Sequence, residues 1–259
     1  MKVVVKLGGA ALDNKELVKK FVAAISSLAH HGHKVVVVHG GGAALTRTLK
    51  ELGRQSQFVN GLRVTDSDTR DVAVMVLAGQ LNKQLVAAIG RAGQPALGLC
   101  GGDLQCMRAA KRGGEVDLGF VGDVCRVESQ WFETLWEHGA IPVIASIALG
   151  ADGEYYNVNA DSMASSCAIA CKANALVFLT DVAGVKGTDG AVVRWLHVGN
   201  ISEMVQASTI SGGMIPKLEA CTLALRQGVN RVRILPAVDV EVLPGFFSQA
   251  IECGTEVIQ

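Results

Sequence analysis

The fold of this chain is limited above all by six short runs of valine, isoleucine, leucine and alanine. Their almost unbroken apolar character is typical of strands that are buried on both faces of a parallel sheet. Longer segments with helical periodicity separate these runs. The alternation predicts an α/β fold, a three-layer αβα sandwich around a mainly parallel central sheet. The six runs are residues 3–5, 35–38, 96–99, 141–145, 176–179 and 232–235.

Local signals indicate where several helices begin and end. Asp13 and Glu16 predict the start of the helix that follows the first run. Thr65 is predicted to cap a long helix that continues toward Arg91. Residues 103–127 have scattered glycines and short alternating segments, which favour a β-hairpin. The core-facing side of the long helix is predicted to carry Val72, Val76, Gly79 and Val86. Further helices are predicted over residues 129–138, 160–171 and 217–227.

Composition restricts the class of protein and its surroundings. Hydrophobic residues make up 49% of the chain and charged residues 19%, as in globular proteins. Lys plus Arg total 24 and Asp plus Glu total 24, which gives no net charge. The chain therefore has no general electrostatic attraction to nucleic acid or to an acidic membrane. We expect neither as a partner, because the uncharged apolar runs are also too short for a membrane span or signal peptide. Seven cysteines without a C-x-x-C pair favour a reducing, cytoplasmic location.

The length of 259 residues allows one or two domains. No low-complexity linker or internal repeat divides the chain. We predict two lobes, residues 1–172 for the amino-acid substrate and dimerisation, and residues 173–259 for the nucleotide.

Two glycine clusters follow the first two predicted strands. Lys6 precedes Gly8 and Gly9, and His39 precedes three glycines that lead into a helix. Backbone N–H groups of such turns can bind an anion closely, although tight turns alone also use glycine. The P-loop, protein-kinase and G-x-S-x-G patterns are all missing. We therefore predict a phosphate site outside those classes. The histidines at positions 30, 31 and 33 are interpreted as solvated surface, so no metal site is predicted.

Six motifs in a fixed order make this hypothesis specific, and together they span nearly the whole chain. The sequence resembles the amino acid kinase family, in its branch that acts on N-acetyl-L-glutamate. The motifs are Lys-Leu-Gly-Gly at 6–9, His-Gly-Gly-Gly at 39–42, Asn-Gly-Leu-Arg-Val-Thr at 60–65, Asn-Val-Asn-Ala-Asp at 157–161, Leu-Thr-Asp-Val-Ala-Gly-Val at 179–185 and Gly-Gly-Met-Ile-Pro-Lys at 212–217.

The resemblance implies a kinase that uses ATP, with Mg²⁺ carried on the nucleotide, to phosphorylate the γ-carboxylate of N-acetyl-L-glutamate in arginine biosynthesis. Lys6 and Lys217 would contact the transferred phosphoryl group, and Asp161 would orient both lysines. A carboxylate is already ionised at neutral pH, so positive charge and positioning matter more than a general base. The implied substrate-binding residues are Gly41, Gly42, Arg63 and Asn157. The implied nucleotide-binding residues are Gly8, Gly9, Asp181, Val182, Ala183, Gly184, Val185, Lys186, Thr209, Ile210 and Ser211.

The resemblance also implies a homodimer, in which the helix over residues 66–91 forms the contact. Arginine-inhibited relatives carry an additional N-terminal helix, so we expect an arginine-insensitive enzyme. Related carboxylate substrates remain alternatives, namely N-succinylglutamate and aminoadipate or glutamate on a carrier protein. A non-catalytic amino-acid sensor is a further alternative, although retention of Lys6, Lys217 and Asp161 argues against it. Leu104 stands where relatives often have a small residue, which leaves the local loop geometry open.

Overall fold

The secondary structure was taken from a computed structural model that describes residues 1–248 and 252–259. Its strands are β1 (Lys2–Leu7), β2 (Lys34–His39), β3 (Phe58–Val59), β4 (Leu62–Arg63), β5 (Ala96–Leu99), β6 (Met107–Lys111), β7 (Val121–Val127), β8 (Ile141–Ala145), β9 (Ile147–Gly150), β10 (Tyr155–Val158), β11 (Ala175–Thr180), β12 (Trp195–His197), β13 (Arg231–Pro236) and β14 (Thr255–Ile258). Its α-helices are α1 (Gly9–Leu12), α2 (Lys15–His30), α3 (Gly42–Glu51), α4 (Ser67–Ala73), α5 (Asn82–Arg91), α6 (Gln130–Glu137), α7 (Ala160–Ala170), α8 (Val198–Gln206) and α9 (Met214–Arg226). A π-helical segment, Val74–Leu81, joins α4 to α5, and 3₁₀ segments cover Asp103–Gln105 and Ala237–Gly245.

The central sheet has eight strands in the order β12-β14-β13-β11-β1-β2-β8-β5. The six strands from β13 to β5 run parallel, and they are the six that the sequence predicted. The prediction of a mainly parallel α/β sandwich is therefore confirmed. Two strands at one edge, β12 and β14, were not predicted; β14 pairs antiparallel with β13, and β12 pairs in parallel with β14.

Side chains of the central strands alternate between two apolar layers, which explains why most of their positions are apolar. On β1, Val4 packs into the cluster beneath α7 and α9. Val3 and Val5 point to the opposite face and pack with Phe21 and Ile25 of α2. Because helices cover both faces, apolar residues predominate in these strands, and Lys6 on β1 and Arg233 on β13 are buried exceptions.

The predicted hairpin over residues 103–127 is part of a larger unit. β6 and β7 pair antiparallel, and β9 and β10 complete a closed four-stranded barrel with them. β10 carries Asn157 and leads directly into α7. The barrel thus places Asn157, the first residue of the predicted motif at 157–161, at the edge of the central sheet.

Two predicted helix caps are corrected by the structure. Asn14, not Asp13, caps α2 by accepting bonds from the N–H groups of its first turn. Asp13 instead pairs with Arg47 at 2.6 Å. Asp66 caps α4 by accepting from Thr69 N–H. The hydroxyl of Thr65 points back and donates to the Arg63 carbonyl at 2.9 Å, so it cannot serve as the cap.

The long helix over Ser67–Arg91 changes register where its middle turns widen to π-helical geometry. Val72 and Val76 are buried as predicted, but Leu81, Leu85 and Ile89 follow on the buried side. The predicted Gly79 and Val86 are only partly buried. A constant period of 3.6 residues cannot follow a segment that has more residues per turn, so the predicted face was wrong in the second half.

Length and composition alone would allow this same helix to cross a membrane, and it is the one such helix in the part of the chain that the structure describes. Its buried side packs against α3, β9 and the strand end at Ala145.

The predicted boundary between lobes falls in the turn from α7 to β11. Lys172 adopts a positive φ of 53° there. The sheet continues across this point, because β11 pairs with β1 along five residues of each strand.

Candidate active site

A buried cluster of three charged side chains lies at the carboxyl edge of the central sheet. Lys6 at the end of β1 places its Nζ 2.9 Å from Asp161 Oδ1. Lys217 on α9 places its Nζ 3.0 Å and 2.9 Å from the two oxygens of the same carboxylate. The exposed fractions of Lys6, Asp161 and Lys217 are 8%, 7% and 6%. Two positive charges therefore share one negative charge out of contact with most solvent.

Asp161 and Lys217 reach the cluster because they lie in the first turns of α7 and α9. The Asn159 side chain caps α7 by accepting bonds from Asp161 N–H at 2.8 Å and Ser162 N–H at 3.1 Å. The carboxylate of Asp161 is therefore free to face the lysines. α9 begins at Met214, earlier than predicted, which puts Lys217 within its first turn. The ammonium of Lys217 also lies 5.3 Å from the centre of the Phe178 ring.

The electrostatics of the cluster show opposing effects. Burial lowers the pKa of Lys6 below its ordinary value, although Asp161 opposes this and Lys217 reinforces it. Burial alone would raise the pKa of Asp161, but the two lysines hold it below its usual range. The net positive charge favours an anion beside the lysines.

The two glycine turns face each other across a narrow gap. A Cβ atom on Gly9 would lie 3.3 Å from the Gly42 nitrogen and 3.5 Å from the Gly41 nitrogen. Neither of these two N–H groups donates to an acceptor among the described residues. The missing side chain of Gly9 thus leaves space in front of two free backbone donors, as an anion cradle requires.

A cleft of about 740 Å³ opens beside the cluster. Lys6 and Lys217 line it together with five of the predicted nucleotide-binding residues, Gly8, Gly9, Asp181, Val182 and Ser211. Ala183, Gly184, Lys186 and Thr209 are not among its lining residues within the described chain. Val185 and Ile210 are buried in the core beneath the sheet, because they are apolar side chains that pack with its strands.

Several residues that line this cleft were missed by the sequence analysis. Pro236 is the last residue of β13, and Ala237 and Val238 follow it; Asn14 and Leu17 belong to the start of α2. The rule that ligands of parallel sheets bind outside the carboxyl ends of strands could have found the first three.

A second, smaller cavity of about 170 Å³ holds the predicted substrate-binding residues. Gly41, Gly42, Arg63 and Asn157 all line it. Gly42 lines the large cleft as well, so the glycine turn stands between the two spaces. A cavity of this size accommodates a small organic molecule.

Arg63 is a buried, positively charged residue that lines the smaller cavity. Its guanidinium donates to the Gly42 carbonyl at 3.1 Å, to Thr46 Oγ1 at 2.7 Å and to the Ser56 hydroxyl. No carboxylate within the described chain forms an ion pair with it. Burial lowers the pKa of Arg63. A buried cation with neutral partners alone is poised to bind a carboxylate.

Nearby, Asn157 Nδ2 donates to Thr65 Oγ1 at 3.3 Å. Because that bond uses only one amide hydrogen, polar capacity of Asn157 remains for a ligand in the cavity.

The arrangement suits the transfer of a phosphoryl group between two anions. Lysine ammonium groups and backbone donors can offset repulsion between reactants and stabilise charge on the moving group. In the described residues no three His, Cys, Asp or Glu side chains are grouped as metal ligands. Both oxygens of Asp161 already contact lysine, which makes Asp161 a poor metal ligand.

Comparison with known proteins identifies the family. The profile of the Amino acid kinase family matches residues 1–236. The chain belongs to the amino acid kinase family, as its motifs predicted.

Individual relatives cover the whole chain. The acetylglutamate kinase of Acidobacterium capsulatum is 58% identical over 258 residues, which cover 100% of this chain and 99% of that protein. The acetylglutamate kinase of Koribacter versatilis is 57% identical with the same coverage. A solved Streptococcus mutans structure superposes with a TM-score of 0.84 at 28% identity, covering 99% of this chain and 98% of that one.

The depressed pKa of Lys6 predicts how activity responds to alkaline pH. Lys6 is charged below its folded-state pKa and loses its proton as the pH rises through that value. We expect kcat/KM of the phosphotransfer to fall with an apparent pKa below the ordinary lysine value of 10.5. In Lys6→Arg, the guanidinium stays charged, so this decline should disappear even if activity is lower. A wild-type profile that stays flat up to 10.5 would contradict the assignment.

Gly9→Ala tests the anion cradle. The added methyl would occupy the space where an oxygen should lie, about 2.9 Å from the amide nitrogens. We expect kcat to fall by about 10²-fold, the effect of losing one oxyanion donor. The control is Gly199→Ala on α8, where a Cβ meets nothing within 4 Å. Thermal melting should be nearly unchanged in both variants, and wild-type kcat in Gly9→Ala would refute the cradle.

Proposed function

We propose that this chain transfers the γ-phosphoryl group of ATP to the γ-carboxylate of N-acetyl-L-glutamate, which forms N-acetylglutamyl 5-phosphate in arginine biosynthesis. The observation that carries this proposal is the buried Lys6–Asp161–Lys217 cluster beside two cavities that share a glycine turn. The two relatives at 58% and 57% identity, both named acetylglutamate kinase, support this choice of substrate.

The reaction needs no proton transfer. A substrate carboxylate with a pKa of about 4.3 is ionised at neutral pH. Its oxygen forms a bond to the γ-phosphorus while the bond from that phosphorus to the bridging oxygen of ATP breaks. The electron pair of the broken bond stays on the departing ADP. Atoms and charge therefore balance without a catalytic base.

In this proposal the protein supplies charge and position. The ammonium groups of Lys6 and Lys217 offset the negative charge on the transferred group. Asp161 holds both ammonium groups and favours their charged forms. Gly41 and Gly42 direct backbone N–H groups at the reacting carboxylate or the phosphoryl oxygens.

The smaller cavity binds the amino-acid derivative. Arg63 pairs with its α-carboxylate through a planar fork of N–H donors, which explains a buried arginine that no carboxylate of the described residues pairs with. Asn157 hydrogen-bonds the amide of the acylated amino group. The restricted volume of about 170 Å³ favours a short acyl group.

ATP occupies the larger cleft, with Mg²⁺ bound mainly by phosphate oxygens and water. Asp181 is the one carboxylate among the described lining residues of that cleft, and its Oδ1 accepts a bond from Thr180 Oγ1 at 3.1 Å. The donor set suits a metal that arrives with the nucleotide. The C-terminal lobe, residues 173–259, supplies much of this cleft and residues 1–172 supply the substrate cavity.

A third cavity supports N-succinylglutamate or carrier-linked aminoadipate or glutamate as second candidates. It measures about 750 Å³ and shares Gly61, Leu62 and Asn159 with the smaller cavity. A longer acyl group or a linker could extend into it. No observation favours a catalytically silent sensor, which would not require the paired lysines.

We also propose that the protein is a cytoplasmic homodimer. The long helix over Ser67–Arg91 is apolar yet only 44% buried across its most apolar window. Met75 on this helix is 60% exposed. Pairing of this helix with its copy would remove that surface from water.

The measurement for the dimer is sedimentation equilibrium of the full chain. We expect twice the mass of one chain, which is 27.1 kDa. Met75→Asp should shift the protein toward monomer, because it places a charge in the contact. A wild-type monomer at micromolar concentration would exclude the proposed dimer.

The function is tested by ATP-dependent hydroxamate formation with N-acetylglutamate, N-succinylglutamate, glutamate and aminoadipate derivatives. We expect the highest kcat/KM with N-acetylglutamate. Lys217→Ala should lower kcat by about 10³-fold or more, because a transition-state charge contact is lost. Its binding of N-acetylglutamate, measured by calorimetry, should persist because Arg63 is intact.

Lys19→Ala is the matched control, since Lys19 is an exposed lysine paired with Glu16 on α2. Equal turnover in Lys217→Ala and wild type would exclude the proposed mechanism. Preference for a longer or carrier-linked substrate would replace N-acetylglutamate by a second candidate. In the same assay, Arg63→Lys should raise KM for the acylated amino acid more than it lowers kcat.

A further inference from the structure

A fully buried pair, His39 and Asn82, lies directly behind the glycine turn. Neither side chain lines the cleft or the smaller cavity. His39 Nδ1 lies 2.9 Å from the Gly40 carbonyl oxygen, and its Nε2 lies 3.1 Å from Asn82 Nδ2. The pair therefore links the long helix to the peptide that precedes Gly41.

The neighbours of Asn82 determine which way its amide points. Its Nδ2 also lies 3.0 Å from the Val143 carbonyl oxygen, and its Oδ1 lies 3.1 Å from the Lys83 ammonium nitrogen. A flipped amide would put oxygen against the carbonyl and hydrogens against the ammonium. Two repulsions would replace two hydrogen bonds, so Asn82 must present an N–H to His39.

This orientation fixes the tautomer of His39. Nε2 accepts from Asn82, so the ring proton is on Nδ1, which donates to the Gly40 carbonyl. Burial lowers the pKa of His39 to about 4, which keeps the ring neutral at physiological pH. Lys83 is the charged group that faces it, and its charge acts in the same direction.

Fixing the direction of the Gly40 carbonyl also fixes the direction of the Gly41 N–H. The Gly40 carbonyl and the Gly41 N–H belong to one planar trans peptide, in which they point in opposite directions. With the carbonyl directed at His39, the Gly41 N–H is directed away from it. That N–H is one of the two free donors in front of Gly9.

The π-helical segment secures the other side of the turn. A Cβ on Gly41 would lie 2.3 Å from Leu81 Cδ1 and 2.6 Å from Leu77 Cδ2. Leu77, Leu81 and Asn82 therefore meet the glycine turn together. π-helical turns are often found at functional sites. Here the widened turn directs these three residues toward the same glycine turn.

We propose that Asn82 and His39 are positioning residues for phosphoryl transfer, which hold the Gly40–Gly41 peptide so that its N–H faces the reacting oxygens. This inference rests on the kinase function proposed above. It assigns a role in catalysis to the junction of the π-helical segment with α5, through Asn82, which lines neither the cleft nor the smaller cavity.

The first test uses ring-nitrogen NMR of His39 in the wild-type full chain, with the resonance assigned by comparison with His39→Gln. We expect a neutral ring with the proton on Nδ1 from about pH 6 to pH 8, as its tautomer and depressed pKa require. A proton on Nε2, or a charged ring in this range, would overturn the proposal. The protonation state itself is read from the wild-type protein, and it does not depend on the identity of the substrate.

The second test is Asn82→Leu, which removes the donor and keeps a similar volume. We expect kcat to fall by about 10²-fold, the effect of a small misplacement in a catalytic geometry. KM for ATP should change by less than about twofold, because the nucleotide contacts are intact.

Gln94→Leu is the matched control, because Gln94 is also a buried amide that donates to a backbone carbonyl, that of Gly139 at 2.7 Å. It should lose stability but keep kcat. Equal losses of kcat in Asn82→Leu and Gln94→Leu would overturn the proposal, as would unchanged kcat in Asn82→Leu. If the wild type itself forms no hydroxamate, the proposed function fails, and the NMR result still decides the hydrogen-bond network.

Discussion

Everything at this site depends on one carboxylate that binds two buried ammonium groups. Without Asp161, Lys6 and Lys217 would repel each other in a region with little solvent to screen them. With it, the two amines lie at fixed positions and a net positive charge remains for a ligand. The fold makes this possible because β1, α7 and α9 all present an end to the same edge of the central sheet.

In the proposed reaction, this edge of the central sheet also separates the nucleotide from the carboxylate substrate. Two cavities meet at the glycine turn after β2, and Gly42 lines both. The smaller one contains a buried arginine that forms no ion pair with a carboxylate in the part of the chain that the structure describes, and the larger one is lined by both lysines of the cluster. A donor and an acceptor that are both negatively charged can thus approach each other from opposite sides of a short stretch of backbone.

Much of this was predictable from sequence. Six mainly apolar runs predicted the six parallel strands, because strands that are buried on both faces need apolar side chains at most positions. Lys6, Asp161 and Lys217 could be grouped because each lies in a distinctive motif, although the motifs are far apart in the chain. The 2.9 Å contact between Lys217 and Asp161 could not be predicted, since it depends on how α7 and α9 pack against each other.

The errors also have physical causes. The core-facing side of the long helix was misplaced because sequence gives no signal for a π-helical turn. The roles of His39 and Asn82 could not be inferred from sequence, since their contact joins residues 43 positions apart. The residues after β13 line the cleft because the chain passes beside it there, and no sequence motif indicates this position. Val185 and Ile210 belong to the expected loops, but their side chains are turned into the core.

The pairing of β11 with β1 has a consequence for the two lobes. A fragment that stopped at residue 172 would lack β11 and leave the backbone of β1 unpaired on one side. Such an exposed apolar edge is a template for aggregation. The two predicted lobes therefore share one continuous sheet and belong to one folding unit.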